Sequence, residues 1–434
     1  MSLKFVTGVA VAAAVSFAAS SIALGQDAAS KDAAPENAAV CPADNGGLIL
    51  PRGFCATVFA DVEGAPRHIA VASDGTVYVN AAVRQGKAGE GPVVALKDSN
   101  GDGRADIIAR FGGDVPGGTG IFLYKDWLYV ESRGSILRYA RKDGEIALQG
   151  APETVLKNLP IDGNHTARPF AIDAQGNLFV DLGSATNSCQ QDDRTKESPG
   201  LDPCEELKTR AGIWRYDANK TDQVFSENER FATGIRNAVG IAVDATGRVY
   251  ATQHGRDQLY ENWPKFYNSK QGSELPAEEL LLLQDGGDYG WPYCYFDGAQ
   301  GKRVLAPEYG GDGKVIGRCA EKLPPVAAFP AHWGPNDVKI YEATQFPEAY
   351  RGGAFIAFHG SWNRSSGPQE GYNVVFQPLA DGKAAGGYMV FADGFRSGKD
   401  GADHRPTGLA VGPDGSLYVA DDAAGRIWRI TYKG

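Results

Sequence analysis

One turn-and-strand unit recurs six times along this chain, and that repeat narrows the possible folds more than any other feature. Its first copy is Ser73-Asp74-Gly75-Thr76-Val77-Tyr78-Val79, and relatives begin at Lys125, Asp173, Asp244, Arg351 and Pro413. In the Asp-x-x-Gly copies glycine supplies the positive φ of a tight turn, and the aromatic and β-branched residues that follow suit a packed strand. A second strand signal follows each copy: Val93–Leu96, Ile136–Tyr139, Ile213–Tyr216, Leu280–Leu283, Val374–Phe376 and Ile427–Ile430. Six double-strand units with no linker between them predict an all-β six-bladed β-propeller, in which radial repetition leaves only short edges. A strand near Phe54–Phe59 is placed to complete the last blade. The uneven spacing between copies predicts loop insertions on one face, the longest within residues 260–340. A β-sandwich or two small β domains would suit the strands but not so many similar units.

The N-terminus reads differently. Lys4 and the apolar run Val6–Ala19, followed by the small residues Ala23-Leu24-Gly25, make residues 1–25 a candidate secretory signal peptide. Residues 26–40 read as an Ala-rich disordered leader, which leaves 41–434 as a single propeller domain. No later segment is long and apolar enough to span a bilayer. Six cysteines, at 41, 55, 189, 204, 294 and 319, fall into three pairs close in sequence. In an exported chain that predicts disulfides 41–55, 189–204 and 294–319 and a periplasmic or secreted location. A net charge of −10 without a basic tract argues against nucleic acid as a partner.

Several stretches carry chemistry. His165, in Gly163-Asn164-His165-Thr166-Ala167-Arg168-Pro169, stands on the loop before the third repeat, and only there does a histidine clearly precede the unit. Arg236-Asn237 occupies the corresponding place before the fourth repeat and offers a guanidinium fork and an amide. Thr252-Gln253-His254-Gly255-Arg256-Asp257 ends a strand where turned carbonyls and a carboxylate suit Ca²⁺. Asp98, Asn100, Asp102 and Asp106 match the start of a calcium loop but lack the closing Glu of an EF-hand, because Ala109 stands there; the stretch is either a compact Ca²⁺ loop or a polar hairpin turn. His359, Arg364, His404 and Arg405 lie beside later strands, and Gly287-Asp288-Tyr289-Gly290-Trp291-Pro292 offers aromatics for a sugar or a planar ring, or for packing between blades. Neither a dinucleotide-binding Gly-x-Gly-x-x-Gly nor a Gly-x-Ser-x-Gly elbow is present.

The stretches GNHTARPFAID, GIRNAVGIAVD, GGDYGWP, TQFPEAYRGGAFIAFHGSWNR and HRPTGLAVGPDGSLYVAD, in that order, resemble the pyrroloquinoline quinone (PQQ)-dependent sugar dehydrogenases. The nearer branch is the sorbosone dehydrogenase-like one, and soluble quinoprotein glucose dehydrogenase is more distant. The resemblance runs from about residue 47 to the end. It implies a six-bladed propeller that holds PQQ and Ca²⁺ over its axis and oxidises a sugar or sugar-derived aldehyde. It casts His165 as the general base and Arg236 as stabiliser of charge developing on the quinone. Arg236, Asn237, Arg364 and Arg405 would bind the cofactor, Gly255, Arg256 and Asp257 the calcium, and Tyr289 and Trp291 the substrate. Electrons would pass to a quinone or cytochrome acceptor. The chain departs from glucose dehydrogenase at Asn164, where that enzyme has an acidic residue, at the closely following Arg168, and at Thr407, where it has a second arginine. Two other readings of the residues stand beside this one: a calcium-dependent lactonase-type hydrolase, and a propeller that binds a carbohydrate or protein partner without catalysis.

Overall fold

The computed structural model describes residues 41–82, 91–142, 144–398 and 402–434. The predicted signal peptide and leader lie outside them. Six sheets, each with four antiparallel strands, follow one another along the chain as the blades of a propeller, and blades 2 and 3 each gain a short fifth strand paired in parallel at the outer edge. Blade 1 is Ala65–Val71, Val77–Ala82, Val93–Lys97 and Ile107–Phe111. Blade 2 is Ile121–Tyr124, Trp127–Ser132, Ser135–Ala140 and Glu153–Lys157. Blade 3 is Phe170–Ile172, Asn177–Leu182, Gly212–Asp217 and Arg230–Thr233. Blade 4 is Ile241–Val243, Val249–Gln253, Glu278–Leu282 and Ala327–Phe329. Blade 5 is Pro335–Ile340, Ala354–His359, Tyr372–Gln377 and Met389–Ala392. Blade 6 joins Pro406–Val411, Leu417–Asp421 and Arg426–Tyr432 to Phe54–Asp61, so the first long strand pairs with the last.

The repeated unit supplies the second strand of every blade and the second signal the third. These are the most buried strands: in Val77–Val79, Val93–Leu96 and Leu178–Val180 every residue is buried. Buried Ile, Val, Leu and aromatic side chains pack between neighbouring blades. The densest example joins blades 5 and 6, where the Phe54 ring meets Phe346 and Phe391 edge-on at 4.8 and 4.9 Å. Such edge-to-face pairs add about 0.5–1.5 kcal/mol beyond area burial.

Antiparallel order fixes which loops share a face. Connections from second to third strand, and from fourth strand to the next blade, lie at one end; the others lie at the opposite end. Blades 3 and 4 carry long second-to-third connections, residues 183–211 and 254–277, at the first end. The third-to-fourth connection of blade 4 starts at the far end and climbs back along blade 3, its Gly287–Asp288 pairing in parallel with Arg230–Thr233. It then forms the hairpin Cys294–Asp297 with Lys302–Leu305 and continues to the fourth strand at Ala327. All three predicted disulfides form: Cys41–Cys55, Cys189–Cys204 and Cys294–Cys319. Two of them staple these insertions.

Candidate active site

The loops of the first end enclose a cavity of about 330 Å³, walled by residues from blades 3, 4 and 5 and the loops between them. His165, Arg236, Asn237, Gly255 and Asp257, all singled out in the sequence, line it together.

His165 lies on the connection into blade 3. Gly163 turns the chain there with φ 91°, and a Cβ at that position would meet Ala185 at 2.5 Å, so only glycine fits. Arg168, fully buried, holds the loop by donating to the carbonyls of Pro160, His165 and Ala167. The Nδ1 of His165 lies 2.8 Å from the carbonyl of Ser184 and 3.0 Å from its hydroxyl. A carbonyl only accepts, so Nδ1 carries the proton and Nε2 presents a lone pair. Burial first, then the neighbouring Arg236 charge, pushes the imidazole pKa down to about 2. The free protein therefore holds His165 neutral.

Arg236 is the centre of a network. Its guanidinium donates to Asn187 O and Oδ1 at 3.0 Å each, to Gly255 O at 2.9 Å and to Asp257 Oδ2 at 3.0 Å. Asp257 also receives Arg194 at 2.9 Å and Asn363 Nδ2 at 2.6 Å. Burial raises the Asp257 pKa, but Arg236 and Arg194 outweigh it and hold the carboxyl well below the usual carboxylate range. Asn187, not among the predicted site residues, binds Arg236 and Asp257 from both ends of its side-chain amide, and its backbone carbonyl accepts Trp291 Nε1 at 3.1 Å. The Oδ1 of Asn237 is buried without a hydrogen-bond partner.

Three more histidines reach the cavity. His254 donates Nε2–H to Pro335 O at 3.1 Å and His332 donates to Gly272 O at 2.9 Å. His359 donates to Asp422 at 2.8 Å, and Asp422 is paired in turn with Arg67. Burial, with Arg236 second, lowers the His254 pKa to about 4. Glu278 accepts Gly255 N and Gly334 N, and burial raises its pKa to about 8. At neutral pH that carboxyl is largely protonated.

Other predicted residues stand elsewhere. Tyr289 and Trp291 do not line the cavity. Tyr289 is 0% exposed, donates to Leu282 O at 2.6 Å and packs in the interface of blades 3 and 4, and Trp291 lies against the Cys189–Cys204 bridge. The aromatic exposed at the cavity is Trp362, at 69%. Arg405 donates to His359 O at 3.1 Å and Gly360 O at 2.9 Å, bordering the cavity, whereas Arg364 pairs with Glu370 at 3.2 Å. The Asp98–Asp106 loop joins the third and fourth strands of blade 1, so it lies at the opposite end of the propeller from the cavity. Its oxygens are spent on its own loop: Asp98 caps Gly101 N and Gly103 N, Asn100 caps Asp102 N, and Asp106 caps Ser99 N.

This lining fits PQQ. Two guanidinium groups, neutral imidazoles and an unpartnered amide oxygen surround a space of the size that takes small planar ligands, and a tricarboxylate quinone matches that charge. Calcium fits in part. The Asp257 carboxylate is neutralised by Arg236 and Arg194 at Oδ2 and accepts Asn363 at Oδ1, so it is not the free ligand that the sequence suggested. The backbone carbonyls of Gly255, which already accepts Arg236 at 2.9 Å, and of Arg256 are what this stretch can offer. Ca²⁺ takes about 6–8 oxygens, so two carbonyls hold it only if a bound cofactor and water supply the rest.

Comparison with known proteins agrees with this architecture. A family model described as TrAA12-like matches residues 48–433. A PQQ-dependent pyranose dehydrogenase of Coprinopsis cinerea is 28% identical over 232 residues, 45% of this chain and 30% of that protein. The chain aligns with 61% and 30% of the length of the curated relatives it matches. Among solved structures, the calcium structure of the Trichoderma reesei carbohydrate-active enzyme of family AA12 superposes with a TM-score of 0.71 at 20% identity, covering 89% of this chain and 97% of that one. The holo form of the PQQ domain of the C. cinerea pyranose dehydrogenase gives a TM-score of 0.69 at 20% identity, covering 88% and 97%. At that identity the structural likeness establishes the fold, a six-bladed propeller shared with soluble PQQ-dependent sugar dehydrogenases. The extent of the family match, nearly the whole of the described propeller, places this chain in the TrAA12-like family.

Proposed function

We propose that the protein is an exported PQQ-dependent dehydrogenase that oxidises a pyranose or related sugar, with His165 as the general base. The observation that carries this reading is the free Nε2 of His165, facing a cavity walled by Arg194 and Arg236. Three disulfides support export. Arg236 and Asn237 would hold the quinone, with Arg194 and Arg405 at its carboxylates and the carbonyls of Gly255 and Arg256 at any accompanying calcium. PQQ, when bound, supplies the hydride acceptor.

The protein's own part is to bind, orient and move one proton. His165 Nε2 takes the proton of the sugar hydroxyl while Nδ1–H stays on Ser184 O, so the ring does not rotate as its charge changes. An anion held by Arg194 and Arg236 would offset the guanidinium charge that, after burial, depresses His165, and so would raise its basicity. Arg236, fixed by Asn187 and Asp257, favours negative charge developing on its ligand. A calcium-dependent hydrolase needs free carboxylates at the axis. Asp257 is neutralised by two arginines and Glu278 is bound by two amides, so this geometry lends that reading no support.

The test is to load the protein with PQQ, with and without Ca²⁺, and follow quinone absorbance and dye reduction over a panel of pyranoses and aldoses. His165→Ala should bind PQQ and lose about 10²–10⁴-fold in turnover. Absence of both quinone binding and turnover overturns the proposal.

A further inference from the structure

The peptide unit between Ser184 and Ala185 is held at both ends. Its carbonyl accepts His165 Nδ1–H at 2.8 Å, and its N–H donates to Glu206 Oε2 at 2.7 Å. Glu206 Oε2 also accepts Thr186 N at 3.2 Å, and its Oε1 takes the Thr186 hydroxyl. The Ser184 hydroxyl spends its hydrogen on Thr186 O at 2.6 Å and so faces His165 as a second acceptor. Glu206 stands on the short turn Glu205–Lys208, immediately after Cys204. The Cys204–Cys189 bridge and the bond from Cys189 N to Thr186 Oγ1, 2.9 Å, tie that turn to the segment it clamps.

From this geometry we propose that Glu206 is a positioning residue for the proton-transfer step, acting on His165 through the Ser184–Ala185 peptide. The inference rests on His165 being the base. Gly183-Ser184-Ala185-Thr186 has only small side chains, so hydrogen bonds orient its peptides: Ser184 N donates to Arg236 O at 2.7 Å, Asn164 N donates to Ala185 O at 2.8 Å, and between them Glu206 holds the Ala185 N–H. A flipped peptide would turn an N–H toward His165 and a carbonyl toward a carboxylate, and the anionic Glu206 forbids that orientation. Held as it is, the carbonyl can accept only from a protonated Nδ1, which leaves Nε2 as the acceptor for substrate. A charge-assisted bond on the N–H also polarises the same peptide and strengthens its carbonyl as an acceptor. The arrangement is a carboxylate–imidazole pair with one peptide inserted between the partners.

The experiment reads the tautomer directly. In apo protein carrying ¹⁵N-histidine, with the His165 signals identified by their loss in His165→Ala, Nδ1 should resonate as a protonated nitrogen and Nε2 as an unprotonated one. Glu206→Ala should shift both toward the values of freely exchanging tautomers. In the PQQ-loaded enzyme it should lower kcat about 10- to 100-fold, with PQQ affinity and KM within about twofold of native. Glu206→Gln, which keeps an acceptor oxygen without the charge, should hold the tautomer and lose less, and it guards against a folding defect in the alanine variant. Glu205→Gln, on the exposed side of the same turn, should match native protein. Native ¹⁵N shifts and native kcat in folded Glu206→Ala and Glu206→Gln overturn the proposal. Shifted tautomer signals with undiminished kcat uphold the clamp and overturn the assignment of His165 as base.

Discussion

The imidazole of His165 is buried beside a guanidinium, and both effects oppose its protonation. With the folded value pushed down to about 2 and an unfolded value of about 6.5, the unfolded chain takes this proton first as pH falls. Stability from this group is therefore present above about pH 6.5 and lost on acidification below it. Glu278, raised to about 8, acts in the opposite sense: its contribution is present at low pH and lost as pH rises through that value. In apo protein the His165 ring signals should show no titration between pH 5 and 8, and binding of PQQ should move the midpoint upward. An inflection near 6.5 in the apo protein would refute the buried, Arg236-facing environment. Trp362 offers a second residue-level test. Exposed at the cavity and unsupported by core packing, it is placed to cover a ring of substrate. Trp362→Ala should raise KM for sugar several-fold and change the unfolding midpoint little, since surface substitutions stay within about 0.5 kcal/mol. An unchanged KM across the sugar panel would remove it from the site.

The elements differ in how plainly they are written in the sequence. Second and third strands are readable because both faces are buried and their turns need glycine, as at Gly75 and Gly176 with φ 83° and 91°. Outer strands such as Ile107–Phe111 and Met389–Ala392 are half exposed and carry no such signature. The same contrast governs the site. His165, Arg236 and Asn237 stand at a fixed offset before a repeated strand, so the repeat places them. Asn187, Arg194 and Glu206 sit on the 183–211 insertion, whose path is set by contacts distant in sequence. Glu278 begins a strand among apolar neighbours and reads as its solvent-facing edge. Tyr289 and Trp291 misled in the other direction, because an aromatic turn looks alike whether it walls a ligand or fills an interface between blades. The Cys41–Cys55 bridge belongs to this scale too, since it pins the outer strand of blade 6 through a loop of 14 residues. Replacing both cysteines with serine should cost about 2–4 kcal/mol in denaturant unfolding and leave PQQ affinity unchanged. A loss of PQQ affinity would mean that the rim strand and the cavity are coupled.

For the whole molecule, the cavity binds charge as a set and not residue by residue. Asp257 is neutralised by two arginines, so on the proposed reading calcium would draw oxygens from the anion that fills the centre. Calorimetry should therefore find Ca²⁺ binding weak in the apo protein and at least about 10-fold tighter once PQQ is present, with PQQ tightened by Ca²⁺ in the same ratio because the coupling is reciprocal. Tight, PQQ-independent calcium binding at the cavity would contradict the donor inventory.

Ring closure has a consequence for how the molecule comes into being. Phe54 pairs with Tyr432 and Asp61 with Arg426, so the seam of the propeller joins the beginning of the domain to its last strand. On a ribosome the early strand has no partner until the rest of the propeller has emerged. Its apolar edge stays open throughout that interval, and long-range β pairing is slow even when both strands are available. The Cys41–Cys55 bridge, local enough to form early, can shape that waiting strand before its partner arrives. The assembly step most exposed to failure is thus the one that closes the ring, when the last strand of the propeller finds the first.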